Sequence, residues 1–456
     1  MAESEQDASA GSGFAAVRGL VRLLLWVFYR RVEVIGAERI PARGGLIVAA
    51  NHHNSIVDAM VLLAVVPRRL RTLAKAQLFQ HPLIGPFLRM LGALPVHRRQ
   101  EAGDDPRKND ALFDETTRTL RQGGGIVIFP EGRTQPEPVL LELRTGAARM
   151  LLAAQPAEVT LLPAGLVFHK AGIFREGEAL VVFGEPVSTG ECSALARTEP
   201  ELAARQLTDQ LAGALRELIV EAEDLETLGL LERAEGLWRA AARGERAAGE
   251  RVHWLRQAAD RYRDLARREP ERLADYARRL QGFVAELDAA GLSPRSLTAR
   301  RGGAPGLRFA LGHALALLVG APLALCGFLL HGLPYLLVGL ALRLIPHTAE
   351  EEATDKIAAG MVLYPLFWCL EGWLAWHFGG TPALLAFAVL LLPSGAVALS
   401  WRERLGHAAR EIRVLARILR EPGFLARLRE EQARLVGELR AFAAGPLPED
   451  KNEGLS

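Results

Sequence analysis

Two adjacent histidines, His52 and His53, precede an aspartate, Asp58, in the stretch "NHHNSIVD" from Asn51 to Asp58. An imidazole beside a carboxylate is the usual apparatus of a general base. The carboxylate fixes the ring tautomer and stabilises the imidazolium formed on proton uptake. Residues five and six apart point away from each other on a continuous helix. The pair therefore meets only if the histidine lies on a loop that folds back over a helix start. "LIVAA" (Leu46 to Ala50) reads as a strand, and Ser55 to Asp58 fits the S-x-x-D capping signature before the apolar "AMVLLAVV". In the first helical turn the positive end of the helix dipole favours the Asp58 charge. The same residues also read, without any chemistry, as a capped helix after a polar loop. The capping position of Ser55 argues against a nucleophile. The two histidines have no third and fourth ligand at metal-binding spacing, so no metal site is expected.

Other residues supply positive charge. In "IVIFPEGRT" (Ile126 to Thr134) a buried strand ends in Pro130-Glu131-Gly132, followed by Arg133. Arg133 can grip a phosphate, and Gly132 can let the backbone approach a ligand. The plain alternative is a strand-end turn with a permissive glycine. "LGALPVHRR" (Leu91 to Arg99) places Arg98 after another strand-like run, while Lys75 and Arg144 add further cations. Read singly, each is a solvated side chain.

The elements that must hold these residues follow from the apolar pattern. From about residue 40 to 190, short runs ("GLIVAA", "GIVIF", "VTLLPAGLVF", "ALVVFG") alternate with helical stretches, which predicts an α/β domain with a buried sheet. Glu101 to Asp110 reads as a surface loop feeding the next helix. Ahead of the domain, residues 14–31 form a basic amphipathic stretch, with Arg18 and Arg22 on one face. Its expected place is a membrane surface. Residues 200–300 switch to helical periodicity; between 231 and 280 there are 13 Arg against 9 Asp and Glu, interspersed as on a solvated face. With a net charge of +2, the total signals no nucleic-acid partner. The 50 Arg against 5 Lys read as a mark of coding composition. Cys192, Cys326 and Cys369 lie far apart and suggest neither disulfides nor zinc. The acidic start "MAESEQDASAGSG" does not have the pattern of a secretory signal.

Two stretches decide the compartment. Phe309 to Leu342 spans 34 residues without Asp, Glu, Lys or Arg, and Ile357 to Trp401 spans 45 with only Glu371. A bilayer crossing needs about 20 apolar residues. Residues 307–402 are therefore expected to be transmembrane helices, turning near "HGLP" (His331 to Pro334) and "GGTP" (Gly379 to Pro382), with residues 403–456 as a charged, amphipathic tail. Arginines on both flanks (295, 300, 301 and 308; 402, 404 and 410) predict an even number of crossings with both flanks cytoplasmic. Glu371 in mid-membrane reads equally as a functional group or as a packing and helix-end residue.

Taken together and in order, "NHHNSIVD", "GALPVHR" (Gly92 to Arg98), "FPEGRT" and "LLPAGLVF" with Pro163 resemble the four blocks of the glycerolipid acyltransferase superfamily. The resemblance covers about residues 40–190, within a domain expected over 40–195. The N-H-x-N-S-x-x-D form, helical insert and apolar C-terminal stretches look most like bacterial and yeast-type glycerol-3-phosphate or dihydroxyacetone-phosphate acyltransferases; 1-acylglycerol-3-phosphate acyltransferases are the alternative. It implies an α/β acyltransferase domain with a helical insert and a C-terminal helical membrane region. His52 or His53 would be the base, steadied by Asp58; the commoner family spacing selects His53, and the "NH" register selects His52. Arg98 and Arg133, with Lys75 and Arg144, would bind the acceptor phosphate near Gly132, and Glu131 would position its hydroxyls. The family order "FPEGTR" is here "FPEGRT", which displaces the arginine. The implied cosubstrate is acyl-CoA or acyl carrier protein, with no cofactor, at a bilayer such as the bacterial inner membrane. A different class would be a lipid-handling membrane protein whose acyltransferase domain is inactive.

Overall fold

Residues 2–80, 84–97, 109–135, 137–169, 172–241, 248–298, 304–344, 348 and 351–444 are described in the computed structural model. They divide into two units: residues 1–225 with 346–358, and residues 226–345 with 359–456. The first unit is built on β1 (Arg31–Ile35), β2 (Gly45–Ala50), β3 (Leu70–Lys75), β4 (Leu94–Val96), β5 (Gly125–Ile128), β6 (Val159–His169) and β7 (Glu178–Phe183). They form one sheet in the order β1-β7-β6-β2-β5-β3-β4. From β6 to β4 all neighbours run parallel, whereas β6 and β7 pair antiparallel. All six residues of β2 are buried, as a strand covered on both faces requires, so it reads as an unbroken apolar run. Parallel strands end at one edge. The chain segments that follow β2, β5, β3 and β4 therefore emerge together, where open α/β sheets place their ligands.

Helices α1 (Ala2–Phe28), α2 (Ser55–Val65), α3 (Ile84–Met90), α4 (Asn109–Arg121), α5 (Gly146–Ala153), α6 (Gly190–Leu195) and α7 (Pro200–Arg216) complete the unit. In α7, Leu207, Leu211 and Leu215 repeat every fourth residue and are buried, in one core with Ile126, Leu151 and Leu161. α1 corrects the expectation for residues 14–31. It ends at Phe28, and residues 31–35 are a strand. The Arg18 and Arg22 guanidiniums donate to the Ala64 carbonyl at the C-terminal end of α2, at 3.2 and 3.0 Å, rather than reaching outward to headgroups. Cations there complement the negative end of the helix dipole. Val21, Leu25 and Phe28 are buried, while Leu23 and Trp26 on the other side are about half exposed.

The remaining helices are α8 (Leu225–Ala241), α9 (Ala248–Arg268), α10 (Pro270–Ala290), α11 (Pro294–Thr298), α12 (Ala304–Leu344), α13 (Glu352–Arg420) and α14 (Phe424–Ala444). Residues 424–444 of the expected tail do not behave as a separate tail. Leu428, Leu435, Val436 and Phe442 of α14 share a core with Tyr276, Leu280 and Phe283 of α10. Among the described residues, two helices are long and apolar enough to cross a membrane, over 317–344 and 352–414. The expected turn at His331 to Pro334 is absent, since α12 runs through it with Pro334 inside the helix. The turn at Gly379 to Pro382 is present. Gly380, at φ 64° and ψ −162°, breaks the helix in a region open essentially to glycine alone, and Gly372 before the break packs on Phe387 after it. Arg300 and Arg301 lie outside the described residues.

The close packing of the sheet gives a direct test. A Cβ on Gly165 in β6 would stand 2.6 Å from the Leu218 carbonyl oxygen. Gly165→Ala is expected to lower the thermal midpoint, because overpacking typically costs ~1–3 kcal/mol. An unchanged midpoint would show that the chain after α7 has room to retreat.

Candidate active site

The loop after β2 folds back as the spacing requires. Ser55 opens α2 with φ 47°, a left-handed conformation that non-glycine residues seldom adopt, and so turns the loop over the helix start. His52 Nδ1 then lies 2.8 Å from Asp58 Oδ2. A carboxylate only accepts, so Nδ1 carries the proton and the Nε2 lone pair remains as the basic site. Asn54 N–H donates to the same Oδ2 at 2.8 Å. The cap at the helix start is therefore this bond from Asn54 to Asp58; the S-x-x-D signature placed it one residue too late. Asp58 is fully buried, and its Oδ1 has no partner among the described residues. His53 is the other case. Its Nδ1 donates to the Gln135 carbonyl at 3.0 Å. The structure thus brings His52, and not His53, to Asp58.

The loop after β5 is tied to the first. Glu131 is 3% exposed; its Oε1 accepts from His52 N–H at 2.8 Å and its Oε2 from Leu141 N–H at 3.1 Å. Gln135 N–H donates to the His52 carbonyl. Phe129 stacks on the His52 ring, with centroids 4.1 Å apart and planes 14° from parallel. Glu131 therefore braces the base loop with both oxygens turned inward, where the sequence reading had it holding acceptor hydroxyls. Burial pushes its carboxyl above the ordinary value, against the lowering effect of those two N–H groups and the neighbouring histidines. Across the sheet, the Asn51 side chain donates to the Leu166 carbonyl and accepts from Leu166 N–H, pinning the end of β2 to β6.

The cations divide. Arg133 is exposed, two residues beyond Glu131 on the bracing loop. Arg144 is also exposed; its N–H donates to the Pro130 carbonyl, and its side chain crosses Gly132, where a Cβ would stand 2.6 Å from the arginine Nε. Gly132 has φ +72°, so both its space and its backbone require glycine. Lys75 closes β3 at the same sheet edge and is half-buried. Arg98 lies outside the described residues, one position after His97, whose backbone is held by the Asn109 side chain. Pro163 sits within β6, opposite Ala49 of β2. Sequence reasoning missed Asn51, Asn54, Phe129 and Gln135 as parts of the site. Only their adjacency to the histidine and FPEG blocks could have signalled them. Among the described residues no group of three or more His, Cys, Asp or Glu is placed to hold a metal.

A histidine held by a buried carboxylate lies at the ligand edge of a parallel sheet, with Arg133 and Arg144 exposed on the neighbouring loop. Comparison with known proteins gives the family. Residues 31–167 match the Acyltransferase family model. A 1-acyl-sn-glycerol-3-phosphate acyltransferase of Bacillus subtilis is 30% identical over 190 residues, 41% of this chain and 87% of that protein. Its counterpart in Borreliella burgdorferi is 26% identical, over 38% of this chain and 68% of its own. A glycerol-3-phosphate O-acyltransferase 2 of Saccharomyces cerevisiae is 28% identical over 28% of this chain, but over only 18% of its own length. The chain belongs to the acyltransferase family and is an enzyme of glycerolipid type.

The buried Glu131 predicts a pH signature. A carboxyl whose folded-state pKa is raised contributes stability in full below its ordinary value of 4.5 and loses it as pH rises through the raised value. Between pH 4 and 8 the thermal midpoint of the wild type should therefore fall relative to that of Glu131→Gln. A difference that stays flat with pH would refute the assignment.

Proposed function

We propose that this chain moves an acyl group from a thioester, acyl-CoA or acyl carrier protein, to a free hydroxyl of a phosphate-bearing glycerol. The bond from His52 Nδ1 to Asp58 Oδ2 carries the reading. His52 Nε2 takes the proton from the acceptor hydroxyl as its oxygen attacks the thioester carbonyl carbon. Asp58 steadies the imidazolium. The C–S bond breaks, and the departing sulfur takes the proton back from Nε2, so a free thiol leaves and no covalent enzyme intermediate forms. Arg133 and Arg144, with Lys75 and Arg98, bind the acceptor phosphate; arginine suits a phosphate because its planar fork can donate twice. The oxyanion of the tetrahedral intermediate needs backbone N–H donors from the same loops.

Two acceptors are in question. The N-H-x-N-S-x-x-D form and the yeast relative favour glycerol-3-phosphate. The Bacillus relative, matched over most of its length, favours 1-acylglycerol-3-phosphate, and on coverage that support is the stronger. The reaction takes place at a membrane with the catalytic unit on the cytoplasmic side. The apolar helices and a lipid product support a membrane location; the arginines flanking the apolar stretches support the cytoplasmic side.

The full chain in detergent, given a labelled acyl thioester and either acceptor, tests this. His52→Ala should cost at least the ~10²–10⁴-fold typical of a general base. His53→Ala should cost far less, and the reverse order would move the base to His53. Arg133→Ala should raise the acceptor KM and leave the thioester KM nearly unchanged. Equal effects on both substrates would remove Arg133 from the phosphate site.

A further inference from the structure

The residue after α1 reaches the catalytic loop. Tyr29 is 1% exposed, and its hydroxyl accepts a hydrogen bond from Asn54 Nδ2 at 2.8 Å. Asn54 is itself buried, and its N–H is one of the two donors on Asp58 Oδ2. His52 Nδ1 is the other. With Oδ1 unpartnered among the described residues, those two donors set the carboxylate's orientation. The chain of contact is therefore Tyr29 to Asn54 to Asp58 to His52, each link a hydrogen bond of 2.8 Å.

The remainder of α1 supports the same function. Its Arg18 and Arg22 hold the Ala64 carbonyl at the far end of α2, while Tyr29 holds the near end through Asn54. α2 has 11 residues, about 16 Å at 1.5 Å per residue, and the stretch from Arg18 in α1 to Tyr29 just after it spans a comparable length. The helix bearing Asp58 is thus strapped at both ends. Phe28 and Phe168 pack around the Tyr29 ring at centroid distances of 5.2 and 6.0 Å. Burial raises the hydroxyl's pKa, so it remains neutral through any ordinary assay range.

We propose that Tyr29 is a positioning residue for the acyl transfer: through Asn54 it holds Asp58 in line with His52. The proposal rests on the general-base reading of His52. Loss of the Tyr29 hydroxyl frees Asn54 to turn towards another acceptor and carries its N–H away from Oδ2. The carboxylate then stabilises the imidazolium less.

The test is the pH dependence of kcat/KM for the full chain in detergent, comparing wild type, Tyr29→Phe and Phe168→Leu. Tyr29→Phe should lower kcat roughly tenfold, a modest part of the 10²-fold that a 1 Å misplacement can cost. Both KM values should hold, and the acid limb should move to lower pH. Phe168→Leu disturbs the same ring packing and should lower the thermal midpoint without moving that limb. Asn54→Ala cuts the link from its other end and should shift the limb as Tyr29→Phe does, which carries the test if the tyrosine variant does not fold. An acid limb left at its wild-type position in the hydroxyl or amide variant, or an equal shift in Phe168→Leu, overturns the role. If His52→Ala keeps full activity, the base reading fails and the Tyr29 role with it. An inactive His52→Ala beside an unmoved limb in Tyr29→Phe removes the Tyr29 role alone.

Discussion

A carboxylate with no exposed surface is the constraint on which the first unit depends. Asp58 must find donors inside the protein, because an unpaired buried charge is costly. It takes two on a single oxygen, from His52 and from Asn54, both on the loop before its helix. That loop can supply them only if it is itself immobilised. Asn51 ties its start to β6, Glu131 and Gln135 hold the His52 backbone, and Phe129 covers the ring. The polar groups around the dyad are thus connected rather than merely adjacent, and a connected network is what makes a buried polar site specific.

The same arrangement separates two tasks between the loops. The β2 loop carries the base, and the β5 loop carries Glu131 inward and Arg133 outward. Parallel pairing of β2 with β5 places the loops side by side without a long connection, and Gly132 lets Arg144 pass across the second of them. On the proposed function, proton transfer and anion binding are in this way set a few residues apart on neighbouring strands. Both are fixed by the register of the sheet.

Much of this was legible in the sequence, for reasons that can be named. Fully buried strands read as apolar runs, so β2, β5, β6 and β7 were visible; β1, with Arg31 and Glu33 in alternation, was not, and its first residue was read into the helix ahead of it. The His and Asp spacing announced a fold-back, yet the choice between His52 and His53 waited on the left-handed turn at Ser55. Charge suggested that Arg18 and Arg22 face lipid and that Glu131 faces substrate. Both are instead consumed by backbone groups, which composition does not show. Pro334 looked like a turn because hydropathy registers where apolar residues lie, not whether a helix continues through them. Residues 403–456 looked like a tail because the α10 face that α14 covers lies more than a hundred residues earlier.

The first unit is discontinuous, closing only with residues 346–358. Lys356 Nζ donates to the Gly172 carbonyl and pairs with Glu352, in a stretch of chain made long after the sheet. During synthesis the catalytic unit stays incomplete until α12 has already left the ribosome. The order of manufacture therefore releases an apolar helix before the enzyme is finished. Cutting the gene after residue 225, a natural place to seek a soluble fragment, would remove the segment that closes the unit.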